Sequence, residues 1–198
     1  MSLNLEKGHG NINQSTSIGG AFSLTDHTGK TRSDRDFLGK YMLLYFGYTF
    51  CPDVCPTSLL SIASSLNEIK KTHPEISNSI QPLFITLDPD RDTQETLAQY
   101  VDFFHPSLIG MTGTNAQIGD IAKQYLIYYD QQVKTTTNDY LIDHSSVIYL
   151  MSRQGHYMHH FTHDTTQEEM VQTLIEMTAN DADKVTKLDR QYSAVKLR

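Results

Sequence analysis

Two thiols and a scattering of histidines are the side chains in this chain best suited to chemistry. Cys51 and Cys55 are the sole cysteines among 198 residues, and three residues separate them in Tyr45-Phe-Gly-Tyr-Thr-Phe-Cys-Pro-Asp-Val-Cys-Pro-Thr57. A thiolate is both a nucleophile and a soft metal ligand, so the pair offers a dithiol–disulfide couple or two ligands of a metal site. Taken singly, each cysteine reads as a small buried hydrophobe. A structural disulfide between them would close a loop too short to add much stability. Two prolines and an acid around two thiols at a helix start favour a reactive placement over a packing one.

The elements that must hold this turn can be read outward from it. Tyr41 to Tyr48 is apolar and aromatic, too short for a helix and right for a buried strand. Pro56 suits the first turn of a helix, and Leu59, Ile62, Ala63, Leu66 and Ile69 follow at helical spacing, with Lys70, Lys71 and Pro74 as the stop. The thiols therefore sit at a strand-to-helix turn, where free N–H groups and the positive helix end favour a thiolate. Ile80 to Leu87 reads as a second buried strand. Asp92 is expected to cap the next helix, with Glu95 completing a capping box, and Leu97, Tyr100, Val101 and Phe104 form its inner face.

Leu108 to Met111 is a short strand, and a third helix carries Ile118, Ile121, Ala122 and Tyr125. After a polar stretch, Ser145 to Met151 forms a strand that turns at Gln154-Gly155 into a partner from His156 to Phe161. Thr165 and Glu168 supply a capping box for a last helix bearing Val171, Leu174 and Ile175. Upstream, Ala21 to Thr25 and a partner beyond Lys30 make a hairpin around Gly29. Strands alternating with helices, then a closing hairpin and helix, give an α/β three-layer sandwich. Residues 1–20 read as a flexible leader, 21–180 as the domain and 181–198 as a polar tail.

Composition narrows the function. The chain is 38% hydrophobic and 20% charged, carries a net charge of −7 and has no Lys/Arg stripe, which argues against nucleic acid as a partner. Two cysteines cannot make a disulfide framework or a Cys-rich zinc module. No run approaches the roughly 18 apolar residues of a membrane helix, and no signal peptide is visible.

Thr49-Phe-Cys-Pro-Asp-Val-Cys-Pro56, Leu87-Asp-Pro-Asp-Arg-Asp-Thr93 and Ile142-Asp-His-Ser145 together resemble the three signature segments of the SCO/SenC family. The resemblance runs from about Gly20 to Thr178. It implies a thioredoxin-like fold, here with an N-terminal β-hairpin extension. It also implies copper as the cofactor, held by Cys51, Cys55 and His144, and delivery of copper to the CuA centre of cytochrome c oxidase. The implied partners are the CuA subunit of that oxidase and, beyond it, other copper chaperones or thiol reductants. The implied location is the periplasmic side of the inner membrane or, in a eukaryote, the mitochondrial intermembrane space. Members are usually tethered by one N-terminal transmembrane helix, which this chain is expected to lack. Two thiolates and an imidazole are a soft set that suits Cu(I), and the nitrogen helps to accept Cu(II). Three ligands leave a position open, as a donor of metal requires.

Rival readings use the same sulfurs. A thiol–disulfide reductase would keep oxidase cysteines reduced, with Cys51 and Cys55 as its redox dithiol, although thioredoxins carry CxxC rather than CxxxC. A peroxiredoxin is weaker, because Pro52 stands where its threonine belongs. A copper-responsive sensor is the third. Asp88, Arg91 and Asp92 are candidates to shape the site electrostatically, although a helix cap with a local Arg–Asp pair explains Asp92 just as well. His156, His159, His160 and His163 crowd the closing hairpin, and strand alternation splits them between faces, which predicts a solvated edge rather than a second metal site.

Overall fold

A computed structural model describes residues 18–133 and 140–196. Its centre is β3 (Tyr41–Gly47), in which every residue is buried. Tyr41, Leu43 and Tyr45 point to one face and Met42, Leu44 and Phe46 to the other, so a single apolar run feeds two cores. β4 (Ile80–Thr86) pairs with β3 in parallel, and β5 (Ile109–Thr112) pairs with β4 in parallel. β8 (Ile148–Met151) runs antiparallel to β3 on its other side, followed by β9 (Tyr157–Phe161). The N-terminal hairpin, β1 (Ser23–Asp26) and β2 (Thr31–Ser33), turns at Gly29, whose φ of 85° needs a residue without a side chain. β1 docks antiparallel on β5, giving one seven-stranded sheet in the order β2-β1-β5-β4-β3-β8-β9.

Helices cover both faces, which makes the three-layer sandwich expected from the alternating pattern. α1 (Val54–Thr72), α3 (Gln94–Phe104) and α5 (Gln167–Lys196) bury Leu59, Ile62, Leu97, Val101, Met170 and Leu174 on one side. α4 (Asn115–Gln124) lays Ile118, Ile121 and Ala122 on the other. Pro74 is a start as well as a stop: it sits at the first position of a short helix, α2 (Pro74–Ser79).

Four local expectations change. The helix after β4 is capped by Thr93, whose hydroxyl accepts from the Thr96 amide; Asp92 points inward instead. The box at the last helix is Thr166 with Glu169, one residue later than expected. Residues 181–196, set apart by composition, continue α5 without a break, and the Tyr41 hydroxyl reaches both the Thr178 carbonyl and the Asp181 carboxylate at 3.1 Å. Finally, the polar stretch before β8 contains a separate two-stranded hairpin, β6 (Tyr129–Val133) and β7 (Tyr140–His144). The leader expected over 1–20 lies outside the described residues up to position 17.

Candidate metal centre

The strand-to-helix turn forms as its residues dictate. Cys51 lies in the loop after β3, with its amide donating to the Tyr48 carbonyl, and Cys55 is the second residue of α1. Cys55 is fully buried and Cys51 half-buried. The close approach of Cys55 to β3 depends on Gly47, because a Cβ there would stand 2.6 Å from the Cys55 sulfur.

His144 arrives from the far end of β7. Its Nε2 lies 3.3 Å from Cys55 Sγ, and its Nδ1 is 3.1 Å from the Ser145 carbonyl. Its ring stands edge-on to Tyr48 and Tyr45, with centroids 5.9 and 6.4 Å away. The donor atoms of Cys51, Cys55 and His144 all lie within 4.8 Å of one another; no other group of this kind occurs among the described residues. One small ion can bridge three donors so placed, and the half-exposed sulfur leaves the site open on one side.

The two thiols are not equivalent. Cys51 is held down at about 4, chiefly because the Cys55 thiol donates to its sulfur, with help from His144 and from the Asp53 and Cys55 amides at the helix start. Cys55 is pushed far up, first by giving its proton to Cys51 and then by burial. The thiolate expected at the helix start is thus Cys51, which lies just before the helix and collects its free N–H groups.

The Leu87–Thr93 segment braces both halves of the site. Asp92 is fully buried and accepts from the Thr49 amide (3.0 Å), the Thr49 hydroxyl (2.6 Å) and the Thr86 hydroxyl (2.5 Å). It thereby fixes the loop that leads into Cys51. Burial pushes its carboxyl up, and the three donors oppose that shift. Asp88, also fully buried, pairs with Arg91 and accepts from the Tyr140 hydroxyl at 2.5 Å. The sequence pattern puts Asp88, Arg91 and Asp92 near the chemistry but does not reveal Tyr140 and Tyr48, whose contacts lie far apart along the chain. Of the histidines in the closing hairpin, His159 and His160 stack at 5.9 Å and His160 bonds the Tyr157 hydroxyl at 2.6 Å.

The SCO1/SenC family profile matches residues 10–179. This chain belongs to the SCO1/SenC family. It is 40% identical over 159 residues to the mitochondrial protein SCO1 homolog of Homo sapiens, an alignment covering 79% of this chain and 52% of that protein. The chain therefore spans about half the length of that curated relative. Among solved structures it is similar to Arabidopsis thaliana ScoI with copper bound, with a TM-score of 0.78 and 35% identity over 83% of this chain and 99% of that one. Bradyrhizobium japonicum ScoI with copper bound gives a TM-score of 0.73 and 40% identity, covering 81% and 99%. These neighbours share the sandwich described above. Among the described residues no helix is long and apolar enough to cross a membrane.

Proposed function

We propose that this SCO1/SenC protein binds one copper ion through Cys51, Cys55 and His144 and passes it to the CuA centre of cytochrome c oxidase during assembly. The observation that carries the reading is the convergence of two sulfurs and one imidazole nitrogen within 4.8 Å. The donor set fits the metal: thiolates are soft and select Cu(I), and imidazole also serves Cu(II). Cys51 is already a thiolate near neutral pH, so one ligand is ready before the ion arrives. The half-exposed Cys51 side is where an acceptor's ligands would displace those of the donor. Solved relatives with copper bound support the choice of metal. The mitochondrial setting of the human relative supports an intermembrane-space or periplasmic location.

The asymmetry of the thiols also favours a second reading, a thiol–disulfide reductase acting on oxidase cysteines. An accessible low-pKa cysteine followed by a buried protonated one is the arrangement of an attacking and a resolving thiol. X-ray absorption on copper-loaded protein separates the two. The copper reading expects about two sulfur neighbours and a nitrogen at the metal, and weaker Cu(II) binding in His144→Ala. A spectrum without a sulfur shell would refute it. The reductase reading expects metal-free protein to reduce a mixed disulfide at a rate that depends on Cys51 far more than on His144.

A further inference from the structure

The hairpin that delivers His144 has little of its own to hold it. β6 and β7 pair with each other and not with the seven-stranded sheet, and an isolated two-stranded ribbon is marginal in water. Yet its last residue must sit within ligand distance of Cys55. Along β7 the side chains of Tyr140, Ile142 and His144 share one face, because a strand repeats every two residues. That face is pinned at each step. Tyr140 is held three ways: its hydroxyl donates to Asp88 Oδ1 at 2.5 Å, its carbonyl accepts from Arg91 Nη1 at 3.0 Å, and its ring lies 3.6 Å from the guanidinium carbon. The Ile142 amide donates to the Tyr48 hydroxyl at 3.2 Å, and its side chain is buried. His144 then lands on Cys55.

Arg91 touches the other half of the site as well. Its guanidinium carbon lies 4.8 Å from the ring of Phe50, next to Cys51, and 5.8 Å from Tyr48. Its Nε bonds the buried Asp88, whose own amide donates to the Thr86 hydroxyl at the end of β4. One planar cation thus ties the sheet, the cysteine loop and the histidine strand, which a lysine's point charge would not reproduce.

Resting on the copper reading above, we propose that Asp88, Arg91 and Tyr140 form a clamp that positions His144 against the cysteines and so sets the affinity of the site for Cu(II). Cu(I) is carried by the two thiolates, whose placement depends on β3, α1 and Asp92, so the clamp matters far less to it. Arg91, Asp88 and Tyr140 are positioning residues and touch no metal.

The test is a double-mutant cycle between Arg91→Gln and His144→Ala in the full chain, with Tyr140→Phe and Arg91→Lys as milder variants. Cu(II) and Cu(I) affinities are read by competition with chelators, and the Cu(II) site by its thiolate charge-transfer band and electron paramagnetic resonance. Arg91→Gln should weaken Cu(II) by about 10–100-fold, the range for groups that orient a metal ligand. The band should shift, Cu(I) affinity should fall far less than Cu(II) affinity, and Arg91→Lys should not rescue. With His144→Ala already present, Arg91→Gln should change Cu(II) affinity no further. An unchanged Cu(II) affinity and spectrum overturns the clamp, and so does an equal loss with and without His144. If Arg91→Gln fails to fold, Tyr140→Phe decides on the same criteria. If His144→Ala alone leaves Cu(II) binding intact, the role of His144 and the clamp fall together; a strong His144 effect with a silent Arg91 removes the clamp alone.

Discussion

At the scale of single residues, the site works by making two chemically identical thiols different. Cys51 is half-exposed and surrounded by donors, whereas Cys55 is buried against β3 at a position that only Gly47 leaves room for. This predicts a specific pH profile. A thiol titrating near 4 is about 99% thiolate at pH 6, where an ordinary thiol is below about 1%. Cys51 should therefore alkylate with iodoacetamide at a rate nearly flat from pH 6 to 8, while Cys55 stays silent. Because the Cys55 thiol is the largest influence holding Cys51 down, Cys55→Ala should move the Cys51 midpoint to higher pH. His144→Ala should move it less. A Cys51 rate that climbs steadily through pH 8 in the unmutated protein would show that its thiolate is not stabilised.

At the scale of elements, the loop before the cysteines is held by one buried carboxylate. Asp92→Ala would leave the Thr49 amide, the Thr49 hydroxyl and the Thr86 hydroxyl without their acceptor. Orphaned buried donors cost about 1–3 kcal/mol each before relaxation, so a loss of about 3 kcal/mol is expected from urea unfolding. Asp92→Asn should cost much less. Its carbonyl can take the Oδ2 position that serves two donors, and the Thr49 hydroxyl can rotate to accept from the amide group. Equal losses in the two variants would mean that the ionised charge, rather than the acceptor positions, is what the loop needs.

At the scale of the molecule, the site shares a core with the helices: Cys55, Tyr48 and Ile142 lie in one buried cluster with residues of α1 and α5. Leu174 of α5 is fully buried in the cluster that also contains Leu59 and Ile62 of α1. Leu174→Ala should destabilise by about 2–5 kcal/mol. For a domain of this size that lowers Tm by about 2–4 °C for each kcal/mol. Copper stoichiometry below the new Tm should not change, since the loop before Cys51 and the strand of His144 are held by hydrogen bonds to Asp92, Asp88 and Tyr48. A loss of copper from a variant still folded by circular dichroism would show that α5 is coupled to the site.

The division between what the chain states locally and what it leaves to the fold follows sequence distance. The apolar run of β3, the helical spacing of α1 and the two thiols between them are short-range patterns, and they are legible in the residues alone. So is the sandwich, because strand and helix periods alternate in order. The β6–β7 hairpin is not legible: Asp130, Gln131 and Gln132 break any apolar alternation, and what anchors it comes from Asp88, Arg91 and Tyr48 elsewhere. Asp92 misleads for the same reason. Its neighbours spell a helix cap, but Thr93 can do that job, and hydroxyl donors 43 and 6 residues away compete for the carboxylate. By itself the sequence determined the reactive turn and the layers that carry it. Only the tertiary structure decided that His144, 89 residues from Cys55, lies 3.3 Å from its sulfur, because that distance is set by contacts between segments and not by the pattern within any one of them.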